Sequence, residues 1–219
     1  MAKLVIFGAG DIARLARFYF TRDSEHSVAA FAVDRAFRQT ERFEDLPLVD
    51  FETVTEQYPP AEYSMFIAVS YANMNRVRAE KYTEAKAKGY RLVSYISSRC
   101  SWLTEQPPGD NCFVLEDNTV QPFVKIGNDV TLWSGNHIGH DAVIDDHCFI
   151  SSHVVISGRV HVGEYCFLGV NATIRNAITI APETLVGAGA IVMADTAPKS
   201  VYVPDRTAVF PRTSDKVKI

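Results

Sequence analysis

The chain has 219 residues, with 22 basic against 26 acidic side chains, a net charge of -4 and 47% hydrophobic residues. That composition suits a globular protein with material for two small domains, and it is neither disordered nor fibrous. A weak negative charge without a long basic run excludes the footprint of a phosphate-backbone reader, so nucleic acid is not an expected partner.

The apolar run at residues 3–8 is too short for a signal-peptide core, and no stretch approaches the roughly 20 apolar residues of a membrane span. A cytoplasmic protein without a membrane partner is expected. The four cysteines, at 100, 112, 148 and 166, lack the paired spacing of a zinc ribbon or a redox CxxC, and no metal is expected. Cys148 and Cys166 read as small buried hydrophobes.

In chain order, residues 3–8 predict a buried strand, residues 11–21 a helix, and residues 28–33 a second strand ending at Asp34. Residues 64–70 predict a third strand. A helix from about Met74 to Lys88 follows, closed by Gly89, with Arg76 and Arg78 expected on its outward face; residues 91–96 predict a fourth strand. Alternating strands and helices argue a Rossmann-like parallel sheet with crossover helices. The Pro107-Pro108-Gly109 segment marks a boundary, giving domains of 1–106 and 107–219.

The second half repeats instead. Aliphatic residues recur every sixth position at Val114, Val120, Ile126, Leu132, Ile138, Ile144, Ile150, Ile156, Val162, Leu168, Ile174, Ile180, Val186 and Val192, without a register slip. Four positions after each comes a mostly small or β-branched residue, among them Val130, Ala142, Cys148, Val160, Cys166 and Ala172. This pattern predicts a left-handed parallel β-helix, three hexads closing a triangular coil of about eighteen residues. Asn136 occupies a small-residue position, where it either joins an asparagine ladder or reaches a groove.

Gly8-Ala9-Gly10-Asp11-Ile12-Ala13 fits GxGxxA after a strand and at the start of a helix, with Asp34 ending the next strand. A glycine turn lets a diphosphate approach a helix N-terminus, and the carboxylate suits a ribose hydroxyl. Only about four strands precede the repeat, too few for both halves of a dinucleotide domain. A nucleotide-sugar diphosphate meets the same geometry.

Five of the six histidines fall between 137 and 161. Acyl transfer to an amine or hydroxyl needs a base, and neutral imidazole suits that role near neutral pH. His140 is the best candidate, two positions after the inward Ile138, with Asp141 beside it to orient the ring. One coil above, eighteen residues on, stands Gly158, whose N–H would serve as an oxyanion donor.

The Gly8-Ala9-Gly10-Asp11 start, the Gly139-His140-Asp141 segment, the run from Phe167 to Ala172, the run from Gly187 to Ala190 and the closing Val203-Pro204 together resemble the hexapeptide-repeat sugar acetyltransferases. That group is related to sialic acid O-acetyltransferase and to the bacillosamine-pathway N-acetyltransferase. The resemblance covers nearly the whole chain. It implies acetyl-CoA as donor, a nucleotide-linked amino sugar as acceptor, and a homotrimer with active sites between subunits. It further implies the base at His140 with acidic Asp141 following, and the donor contact at Gly158. Acetyl-CoA contacts are implied at Gly169, Asn171, Ala172, Gly187 and Ala190, and nucleotide contacts at Gly8, Gly10, Asp34, Arg35 and Ser70.

The leading expectation is therefore N-acetylation of a nucleotide-linked amino-deoxysugar for surface glycan synthesis. The alternatives are a sugar O-acetyltransferase and a γ-carbonic-anhydrase-like zinc enzyme, although the spacing of His140, His147 and His153 does not match the latter's ligand pattern.

Overall fold

The computed structural model of the protein describes residues 2–217. β1 (Ala2–Phe7), β2 (His26–Val33), β4 (Leu46–Asp50) and β5 (Tyr63–Ile67) form a parallel sheet, to which β3 (Arg42–Phe43) adds an antiparallel hairpin partner of β4. The strand order is β3-β4-β2-β1-β5. Side chains alternate across central β1, so Leu4 and Ile6 pack with Ala13, Ala16 and Phe20 of α1 (Asp11–Arg22), while Val5 and Phe7 meet Phe51, Val54 and Ala85 on the other face. Ala85 belongs to α3 (Arg76–Ala87), while Val54 opens the short α2 (Val54–Gln57).

The β3–β4 hairpin is not apparent in the sequence. Its turn residues Glu44 and Asp45 both take positive φ, at 48° and 61°, without the glycine that normally signals such a turn. The segment read as a fourth strand is divided in the structure. Leu92 makes a single bridge to Met65, whereas Tyr95–Ile96 pairs with Phe113–Val114 eighteen residues on and is the first rung of the β-helix. The rungs thus begin ahead of the Pro107-Pro108 segment, which lies in the first coil.

From Tyr95–Ile96 to Val201–Tyr202 the chain forms two-residue strands in three parallel sheets of seven, six and four strands among the described residues. From rung to rung of the hexads the register advances by eighteen residues, as in His137↔Val155 and Ile138↔Ile156. The aliphatic column from Val114 to Val192 is buried throughout.

Three positions after each aliphatic residue from Val114 to Val186 the backbone turns through positive φ. Asp129, Asp141, His147, Arg159, Asn171 and Ala177 all do so, and glycine fills this place only at Gly135 and Gly189 among the described residues. Each non-glycine corner costs roughly 1–2 kcal/mol. The cost is offset because the corner N–H reaches a carbonyl in the coil below, as from Arg159 to His140 at 2.8 Å and from Ala177 to Gly158 at 2.9 Å.

Asn136 belongs to a ladder rather than to a groove. Its N–H donates to Asn118 Oδ1 at 3.1 Å, and its own Oδ1 accepts from the Val154 N–H at 2.7 Å. Asn136→Ala strands that buried Val154 donor, so unfolding in urea is expected to show about 1–3 kcal/mol less stability at an unchanged slope. An unaltered midpoint would remove the ladder from the account of stability. Cys112, Cys148 and Cys166 are buried in the same stack, and burial pushes the Cys112 thiol up to about 12.

The seven-stranded sheet turns its outer face to the α/β domain, where Tyr95 and Phe113 pack against Tyr19, Phe20 and Phe66. Arg78 departs from its expected outward position: it is only 1% exposed and crosses this junction. Its Nε lies 3.0 Å from an Asp129 carboxylate oxygen, and its Nη2 donates to the carbonyls of Asp129, His147 and Cys148 at 2.9–3.2 Å. Asn111 closes the same cluster by donating to Asp129 Oδ1 at 2.8 Å and accepting the Ile67 N–H at the end of β5. Arg76 alone stays outside, paired with Glu183.

Candidate active site

Buried Ile138 sets the register at the corner after the His137–Ile138 rung, and His140 is carried outward there with a side chain 51% exposed. Its Nδ1 lies 2.8 Å from Asp141 Oδ2. With a carboxylate accepting from Nδ1–H, the free lone pair is on Nε2. Nε2 faces Gly158 in the coil above: a Cβ built on Gly158 would fall 2.6 Å from it, so any side chain there would collide with the ring. The Gly158 N–H has no hydrogen-bond partner among the described residues. The corner therefore pairs a proton-accepting nitrogen with an open amide donor, a geometry able to take a proton and to hold an oxyanion.

The other histidines lack this combination. His161 also meets a carboxylate, Asp145, but its Nε2 makes the contact, and the nearby Gly163 N–H is committed to Ile180. His147 is mostly buried at the domain junction, with Nδ1 2.9 Å from Asp129 Oδ2 and its ring stacked on Tyr165. His153 lies over Gly135.

Gly8, Gly10, Asp34 and Ser70 come together at the carboxyl ends of β1, β2 and β5, where the sheet order reverses beside β1. Gly8 has φ +125°, and a Cβ there would stand 2.7 Å from the Ala68 carbonyl oxygen, so close approach of β1 to β5 demands glycine. Gly10 caps α1 with open space before it. Asp34 holds Lys81 Nζ at 2.9 Å; burial opposes the lysine's charge, but Asp34 and Glu84 outweigh it and raise its pKa. Arg35 is turned away, its Nε donating to Asp50 at 2.9 Å, and contact with that carboxylate raises its pKa.

The residues assigned to acetyl-CoA differ in how the coil engages their polar groups. Ala172 and Ala190 point into the prism and are buried, their N–H groups donate to Gly169 and Gly187, and their carbonyls accept from Val155 and Thr173. Their N–H groups are thus spent within the coil, and each carbonyl keeps one lone pair. Gly169 and Gly187 are also hydrogen-bonded within the coil, to Val186 and Tyr202, and a Cβ on Gly169 would sit 2.6 Å from Ala188 N. Asn171 remains exposed at a positive-φ corner. These five residues occupy a different corner from His140, and one six-stranded face lies between them.

A contact missed in the sequence is Gln121, whose Oε1 accepts the His140 N–H at 2.8 Å; counting nineteen residues back from His140 would have located it. A cavity of about 530 Å³ between Arg14, Phe18, Arg22 and Asp45 contains none of the candidate residues. The His140 and Asp141 side chains are each half-exposed on the single chain. Among the described residues no three or more His, Cys, Asp and Glu side chains converge as a metal site requires, and no helix is long and apolar enough to cross a membrane.

The bacterial transferase hexapeptide (six repeats) family matches residues 123–158. An acyl-[acyl-carrier-protein]–UDP-N-acetylglucosamine O-acyltransferase of Stutzerimonas stutzeri is 30% identical over 32% of this chain and 27% of its own length, so the chain spans only about a quarter of that curated relative. Whole-chain likeness comes from solved structures. A histidine-to-asparagine variant of perosamine N-acetyltransferase from Caulobacter crescentus, in complex with CoA and GDP-perosamine, superposes with TM-score 0.80 at 24% identity, covering 92% of this chain and 93% of that one. The acetyltransferase domain of PglB from Neisseria gonorrhoeae superposes with TM-score 0.77 at 20% identity, covering 92% and 96%. The chain thus carries the transferase hexapeptide repeat over residues 123–158 and shares its whole fold with these acetyltransferases.

Proposed function

We propose that the protein transfers an acetyl group from acetyl-CoA to the amino group of a nucleotide-linked amino-deoxysugar, as a cytoplasmic homotrimer of left-handed β-helices supplying surface glycan synthesis. The observation that carries this reading is the outward His140 imidazole, held by Asp141, with the open Gly158 amide beside Nε2. His140 Nε2 accepts the amine proton as nitrogen attacks the thioester carbonyl. Asp141 steadies the imidazolium so formed. Gly158 N–H takes the charge that develops on the carbonyl oxygen, and the departing thiolate leaves as a proton returns to sulfur.

The Rossmann-like domain holds the acceptor's diphosphate and ribose at Gly8, Gly10, Asp34 and the Ser70 end of β5, where open space before Gly10 admits a ligand. Arg35 assists only after release from Asp50. Asn171 and the free carbonyl lone pairs of Gly169 and Gly187 serve the donor's pantetheine. Because a face of the prism separates those residues from His140 within one chain, a second copy brings the two corners together, which is the physical support for an oligomer.

Release of the CoA thiol, measured with nucleotide amino sugars and with their hydroxyl counterparts, tests the reading. Turnover confined to amino acceptors is expected. Turnover confined to hydroxyl acceptors would convert the assignment to O-acetylation, and absence of turnover and of acetyl-CoA binding would end it.

A further inference from the structure

The corner carrying His140 treats two successive coils in opposite ways. Position 121 stands one coil below position 139, and each lies nineteen residues before the amide it faces, His140 and Gly158. Gln121 fills its place with a side chain whose Oε1 accepts the His140 N–H at 2.8 Å. Gly139 has no side chain to offer Gly158, and that amide stays unpaired among the described residues. A Cβ at residue 139 would lie 2.4 Å from the Gly158 nitrogen, so any larger residue would cover or displace the donor.

We propose that Gln121 is a positioning residue for the His140 base, and that Gly139, by offering no side chain, leaves the Gly158 amide open to the substrate. This rests on the acetyl-transfer reading given above. The His140 backbone is gripped from both sides, by Gln121 at its N–H and by the Arg159 N–H at its carbonyl, 2.8 Å away. The next N–H along, Asp141's, donates to the Pro122 carbonyl at 3.2 Å. The corner is thereby tied to the coils above and below while the ring, half-exposed, has Asp141 as its one side-chain hydrogen-bond partner among the described residues. Removal of the glutamine oxygen frees the backbone on which the imidazole pivots. A small misplacement of a base costs rate without costing substrate affinity.

The test compares the intact chain with Gln121→Ala, Gln121→Glu and Gly139→Ala in steady-state acetyl transfer, alongside thermal unfolding and His140→Ala as reference. Gln121→Ala is expected to lower kcat by about three- to tenfold, as one hydrogen bond warrants, with both KM values within about twofold. Gln121→Glu keeps an acceptor of the same reach and is expected to restore most of kcat. Gly139→Ala is expected to lower kcat by roughly 10²–10³-fold, the loss of one oxyanion donor. Unchanged kcat in Gln121→Ala while His140→Ala is inactive would overturn the positioning role and leave the function standing. Equal loss of kcat and stability in Gln121→Ala without rescue by glutamate would reduce the residue to a structural one. Full activity in His140→Ala would instead remove the acetyl-transfer reading itself.

Discussion

Replacing His140 with alanine is expected to lower kcat for acetyl transfer by roughly 10²–10⁴-fold, the span of a lost general base, while KM for the acceptor moves little. The split follows from the geometry. The ring contributes nothing to the prism's core, since Ile138 and Ala142 on either side supply the buried contacts and the histidine side chain is half-exposed. Its deletion therefore leaves the fold, the Gly158 amide and the amino-terminal domain in place, and removes only the proton acceptor. Rapid-mixing measurement of the first turnover isolates the chemical step from product release. If, as proposed, Asp141 acts through the ring it contacts, Asp141→Asn is expected to give a smaller loss, and none beyond that of His140→Ala when both are changed. A His140→Ala protein with normal turnover would mean that another group, or the amine's own free base, meets the need.

The second large effect concerns stability. Arg78→Met is expected to cost about 3–5 kcal/mol, because it leaves the wholly buried Asp129 carboxylate without its guanidinium partner. Three carbonyls, of Asp129, His147 and Cys148, lose a donor at the same stroke. The contacts join α3 to coils of the β-helix across 51 to 70 residues of sequence, so the loss falls on the domain junction rather than on either core. Urea unfolding followed by tyrosine and tryptophan fluorescence should show an earlier transition for the α/β domain than for the prism. Arg78→Met combined with Asp129→Leu, which discards both charges, is expected to recover a large part of the difference. A single substitution costing under about 1 kcal/mol would show that the pair is not a net fastening.

The hexad register was legible because it is written locally: every sixth residue faces inward whatever the rest of the molecule does, and Val114 through Val192 are buried in that order. The same arithmetic places Gly158 above His140, and Asn136 above Asn118. The adjacent His140-Asp141 pair needs only its own corner to form, so the candidate base was readable as well. The β3–β4 hairpin was not, since Glu44 and Asp45 adopt positive φ without a glycine to announce it. Tyr95–Ile96 has the apolar character of a sheet strand and of a rung alike, and only its pairing with Phe113–Val114 decides between them.

By itself the sequence determined the prism, its inward column and the corner that holds the imidazole, because those depend on spacing along the chain. Tertiary structure alone decided that Arg78 is a buried clasp, that Arg35 is engaged by Asp50, and that the Ala172 and Ala190 amides are spent on Gly169 and Gly187. The reason is common to all three: a charge or an amide takes its role from the partner it meets, and those partners are brought in by pairing across coils, strands and domains, which periodicity does not record.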